Sequence, residues 1–146
     1  MYYIIILLAF FNITNPQKNK FPEPIILLER TMCYGTCPAY KIEIYQNGEG
    51  FYHGNRFVNK KGKFEFSIKN IDISYIIKKA EEINFFDMED QYTEAISDLP
   101  KTYIKIKNKL IEDYYGAPQE LKELEKLIDK VVLKNLNWKS YSEKDL

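Results

Sequence analysis

The chain has 146 residues, 45% of them hydrophobic and 29% charged, which is enough apolar material for one buried core and too much for an intrinsically disordered chain. Its 21 Lys and Arg balance 21 Asp and Glu, so no net field draws it toward nucleic acid or an anionic membrane surface. A single histidine, no Gly-x-Ser-x-Gly elbow and no glycine-rich phosphate loop leave little material for a hydrolase triad or a nucleotide site.

An apolar run from Tyr2 to Phe11 opens the sequence. As a helix it would rise about 15 Å, half the hydrocarbon thickness of a bilayer, so it does not read as a membrane span. Its length matches the apolar region of an export signal, although the α-amino group is the only positive charge ahead of it and no small-x-small cleavage site follows. The alternative is an N-terminal strand of the fold. Residues 1–24 are therefore read as an export- or anchor-like segment plus a polar linker, 25–138 as one domain, and 139–146 as a polar tail.

Ile25 to Glu29 reads as a short strand covered on both faces. Next comes RTMCYGTCPAY, residues 30 to 40, with the only two cysteines, Cys33 and Cys37, on either side of Gly35. Five extended residues hold their outer Cα atoms about 13 Å apart, whereas a disulfide needs roughly 4.4–6.8 Å, so the segment must turn if the sulfurs are to meet. Four readings compete at this point. They are a local structural disulfide, two inert thiols, a redox pair with one residue more than the usual Cys-x-x-Cys, and a metal claw with His53 as the third ligand.

Tyr40 to Tyr45 alternates, and Asn47-Gly48 predicts a two-residue type I′ hairpin turn. That register sets Ile44 opposite Phe51 and Ile42 opposite His53, which places the histidine on the apolar face. Gly62 to Ile68 is a further strand. The spacing Ile73, Ile76, Ile77, Ala80, Ile83 predicts an amphipathic helix over 72–83, capped by Asp72, after which Phe85 and Phe86 turn into the core. The acidic run from Asp87 to Asp98 lacks the ligand spacing of a calcium loop and reads as solvated. Thr102–Ile106 and Leu110–Tyr114 predict a second hairpin; Glu112 and Asp113, adjacent in it, point to opposite faces. Gly116-Ala117-Pro118 opens a last helix with Leu121, Leu124, Ile128 and Val131 as its inner stripe. Lys122, Lys126, Lys130 and Lys134, with Glu123, Glu125 and Asp129 between them, read as its solvated face.

Short hairpin connections and two amphipathic helices predict an α+β domain, a mainly antiparallel sheet with both helices packed on one face. Glu43, Tyr45 and Tyr52 then fall on the uncovered face, and Tyr is favoured in interface cores, so these three form the candidate binding face.

Arg30, Cys33-Tyr34-Gly35-Thr36-Cys37-Pro38-Ala39-Tyr40, the turn at Asn47-Gly48, Asp98-Leu99-Pro100 and Gly116-Ala117-Pro118 together resemble a bacterial family known only as a domain of unknown function, DUF6438. Its mark is Arg-x-x-Cys-[Phe/Tyr]-Gly-x-Cys-Pro-x-Tyr, and the likeness spans about Ile25 to Trp138. The resemblance implies a single α+β domain, frequently behind an export or lipoprotein signal, and it implies no activity.

The leading expectation is a non-enzymatic module of the cell envelope or periplasm, or a secreted one, that binds an unknown protein or small ligand and carries a structural Cys33–Cys37 bridge. No catalytic, cofactor-binding or metal-ligating residue is assigned, no cofactor or nucleic-acid partner is expected, and the N-terminal segment offers membrane attachment. The alternatives are a thiol-disulfide oxidoreductase using the same sulfurs, a small metal-binding protein, and a cytoplasmic location.

Overall fold

β1 (Ile26–Arg30) and β2 (Ala39–Ile44) bury alternate residues, and their antiparallel pairing, Ile26 facing Ile44 and Leu28 facing Ile42, puts the apolar set on one side. The computed structural model, which describes residues 22–95, 98–134 and 138–140, continues this ladder both ways. β3 (Glu49–Arg56), β4 (Gly62–Ser67) and the short β8 (Lys139–Ser140) extend it beyond β2, while β6 (Thr102–Ile106), β7 (Lys109–Asp113) and the short β5 (Gln91–Tyr92) extend it beyond β1. The order among the described residues is β5-β7-β6-β1-β2-β3-β4-β8, and every pairing is antiparallel except β5 with β7.

Two helices, α1 (Asn70–Glu82) and α2 (Gln119–Leu133), close the inner face. Ile73, Ile76 and Ala80 of the first and Leu121, Leu124, Ile128 and Val132 of the second are buried against Ile26, Leu28, Ile42, Ile104 and Ile106 of the sheet. Each such aliphatic side chain stabilises the fold by about 1.5–3 kcal/mol relative to exposure, so this face is what holds the layers together. The architecture is the α+β arrangement that the sequence predicts.

Local expectations are corrected in four places. The β2–β3 turn has three residues, Gln46-Asn47-Gly48: Tyr45 N–H donates to the Glu49 carbonyl at 2.8 Å, and Gly48 takes φ +88°. This one-residue difference moves the register, so that Ile44 faces Gly50 and Ile42 faces Tyr52, and His53 pairs with Lys41 on the outer face. Asp72 lies in the first turn of α1 and is not its cap, a position where its charge still suits the helix dipole. The inner stripe of α2 runs through Val132 rather than Val131 and takes in Glu125, so the helix carries a carboxylate on its buried side. The sheet also reaches into both segments read as irregular, through β5 in the acidic run and β8 at the start of the polar tail.

The apolar run Tyr2–Phe11 and residues 141–146 lie outside the described residues. No helix among the described residues is long and apolar enough to cross a membrane.

Candidate functional site

The segment joining β1 to β2 turns at Gly35, whose N–H donates to Cys33 Sγ at 3.2 Å, and Cys33 and Cys37 are joined in a disulfide with their Cα atoms 5.7 Å apart. Thr31 anchors this loop to the chain entering β6: its N–H donates to the Lys101 carbonyl, and its Oγ1 accepts from Lys101 N–H, both at 2.9 Å. Tyr34, at the tip, is 94% exposed.

At the same end of the sheet the ladder aligns Tyr40, Arg30, Thr102 and Asp113 on neighbouring strands. Arg30 donates from Nε to Tyr40 Oη at 2.8 Å, from Nη1 to Thr102 Oγ1 at 3.0 Å and to Glu125 Oε2 at 3.1 Å, and from Nη2 to Asp129 Oδ2 at 2.9 Å. Tyr40 Oη donates in turn to Asp129 Oδ1 at 2.6 Å. A planar, five-donor guanidinium can serve all four acceptors at once, which an ammonium cannot. Burial works against the Arg30 charge, but Asp129, Tyr40 and Glu125 outweigh it and raise its pKa; burial likewise raises that of Tyr40.

The charges in this cluster do not balance. Three carboxyl groups, Asp113, Glu125 and Asp129, share the single Arg30, with Lys122 acting on Asp113 from α2. Glu125 is 3% exposed, and its Oε1 is buried with no donor among the described residues. Burial, against the pull of Arg30 and with the repulsion of Asp113, pushes its carboxyl up to about 7, and burial also raises Asp113. A proton on Oε1 turns an unmet acceptor into a donor toward the neighbouring Asp113 carboxylate, which removes both the lost hydrogen bond and the like-charge repulsion.

On the other side of Arg30 lies a cleft of about 760 Å³, within the range of about 300–1,000 Å³ usual for small-molecule sites. Gly54 builds it. A Cβ at this inward position of β3 would sit 1.9 Å from the Lys60 carbonyl oxygen and 2.9 Å from the Tyr52 ring, so only glycine lets the β3–β4 connection fold down over the sheet. Within that connection Phe57 takes φ +54°, a strained conformation for a bulky residue, and remains 48% exposed at the cleft wall. Tyr52 and Trp138 supply the aromatic floor, with ring centres 4.7 Å apart, and Trp138 packs further on Phe64 and Phe66. Cys37 and Pro38 bring the disulfide loop to the opposite rim, and Leu133 of α2 lies at the edge.

The sequence-predicted residues thus separate. Cys33 and Cys37 come together, and Cys37 borders the cleft. Glu43 shares the outer face with His53, while Tyr52 is 3% exposed on the inner face, so Glu43, Tyr45 and Tyr52 do not form one surface. The corrected register is the cause. Both sulfurs are taken up in the bridge, and among the described residues no three His, Cys, Asp or Glu side chains are grouped to hold a metal ion. Sequence reasoning missed Glu125, Asp129, Lys60 and Trp138. A signal for Glu125 was present, because Leu121, Leu124, Glu125, Ile128 and Val132 form one continuous helical stripe.

A family model described as a domain of unknown function, DUF6438, matches residues 24–132. The chain belongs to this family. No curated protein and no solved structure gives a significant match. In this DUF6438 chain the matched stretch contains the disulfide loop and the whole Arg30 cluster, and it ends one residue before Leu133, so Trp138 lies beyond it.

Proposed function

We propose that this DUF6438 chain is a non-enzymatic binding module of the cell envelope or periplasm, and that its ligand enters the cleft between the disulfide loop and the β3–β4 connection. The observation that carries this reading is the cleft: an aromatic floor, a strained and exposed Phe57, and a loop stiffened by the Cys33–Cys37 bridge converge on it. The partly buried sulfurs suit an oxidising compartment, where such a bridge persists, and the apolar run Tyr2–Phe11 supplies an export-like leader. The test is a small-molecule library screened for thermal stabilisation of the chain. Hits whose stabilisation disappears in Phe57→Ala support the reading, and hits indifferent to that change contradict it.

A second reading is favoured by one observation: Cys37 lines the cleft. Once two glutathione thiols have reduced the Cys33–Cys37 bridge, a Cys37 thiolate would face a peptide disulfide bound there, form a mixed disulfide with one of its sulfurs and release the other as a thiolate, and Cys33 would resolve the mixed disulfide. Thiol-disulfide exchange requires turnover of a peptide disulfide with glutathione as the electron source. A rate no higher than that of the Cys33→Ser, Cys37→Ser double variant removes the oxidoreductase.

A further inference from the structure

The cleft has an uneven polar inventory. Among the described residues two cations line it, Arg30 and Lys60, and no Asp or Glu does. Arg30 is neutralised from behind by Asp129 and Glu125. Lys60 is not. Its Nζ rests 5.0 Å from the centre of the Trp138 ring and 5.4 Å from that of Phe64, and among the described residues it has no salt-bridge partner. A second donor, Trp138 Nε1, is buried with no acceptor among the described residues. Aromatic faces hold an ammonium weakly, by about 0.5–2 kcal/mol, so Lys60 exchanges them for a carboxylate with little loss. A charge-assisted bond to an anion is the stronger interaction.

We propose that the cleft's ligand is an organic carboxylate with a flat apolar body. The body lies against Tyr52 and Trp138, and the carboxylate accepts from Lys60. This deepens the binding-module reading and rests on it. The Gly54-dependent fold of the β3–β4 connection is what holds Lys60 over the aromatic floor, so the strain at Phe57 and the cation at Lys60 belong to one device.

Trp138 is the only tryptophan, and its fluorescence reports cleft occupancy directly. The probes are 3-phenylpropionate, its neutral amide and 3-phenylpropylammonium, titrated into the full chain at neutral pH. The expected result is a saturable change with the carboxylate binding at least about tenfold tighter than the amide, the ammonium weakest, and the preference shrinking at high salt. Lys60→Met, which keeps the apolar stem, should weaken the acid at least about tenfold and remove its advantage over the amide. Equal binding of acid and amide by the unaltered chain overturns the carboxylate while leaving the cleft a binding site. Preference for the ammonium overturns it in favour of the acidic cluster behind Arg30. No saturable change with any probe, confirmed by unchanged amide spectra, overturns both this inference and the reading it rests on.

Discussion

The two ends of β3 show how differently one sheet treats its connections. At one end Gln46-Asn47-Gly48 turns the chain in three residues, and the positive φ of Gly48 serves only to close the hairpin and leave room for the Ile68 carbonyl, 2.7 Å from where a Cβ would stand. At the other end the connection from Phe57 to Lys61 is longer, lies back over Gly54 and holds Phe57 in a left-handed conformation, with the Arg30 cluster and the disulfide loop beside it. A turn that only reverses the chain is built economically. The folded-over connection, with the bulky Phe57 at positive φ, is where a cleft has been made.

Changes at the cleft end should therefore cost both stability and binding, and changes at the turn end stability alone. Arg30→Ala has the largest expected effect, a loss of about 4 kcal/mol in chemical denaturation, because it leaves buried carboxylates without their cation. Replacing Arg30, Glu125 and Asp129 together by apolar residues of matching size should recover most of that loss. Gly54→Ala should cost about 3 kcal/mol and abolish the Trp138 response to ligands, since the new Cβ meets the Lys60 backbone. Gly48→Ala should cost about 2 kcal/mol and leave that response intact.

The acidic cluster makes the cleft end sensitive to pH. The Glu125 carboxyl is raised from 4.5 to about 7 in the folded chain, so between those values the native state keeps a proton that the unfolded chain releases. The contribution is fully present below about pH 4.5 and is lost as the pH rises through about 7, a decrease of about 2–3 kcal/mol; the raised Asp113 works in the same direction. Glu125→Gln, which keeps the bond to Arg30 without the charge, should flatten this slope and be more stable than the unaltered chain at about pH 8. Cys33→Ser with Cys37→Ser should cost about 2 kcal/mol for so short a closed loop, no more than Gly48→Ala, with the β1–β2 pairing retained.

Much of this was legible in the sequence because it rests on local period. The helices and the main strands follow from spacing, and the closeness of Cys33 and Cys37 limits the bridge to a short loop. The candidate site was much less legible. Asn47-Gly48 fits a two-residue turn and a three-residue one equally well, and the choice flips every side chain of β3, so the two-residue reading puts Tyr52 on the outer face and the three-residue turn puts it on the inner one. Glu125 and Asp129 looked solvated because charge is normally a reliable mark of an outer face. Their partner, Arg30, is 95 residues from Glu125 and 99 from Asp129, so helical spacing could not reveal it. Gly54 carried no signal at all, since its role depends on a backbone that returns from outside its own strand.

The most direct measurement of the central claim, that the ligand site is the inner cleft at the disulfide end, is a two-dimensional amide spectrum of isotopically labelled protein with and without 3-phenylpropionate. Shifts concentrated at Arg30, Tyr52, Phe57 to Lys60, Leu133 and Trp138 are expected. Shifts centred on Glu43, Tyr45 and His53 of the outer face would contradict it.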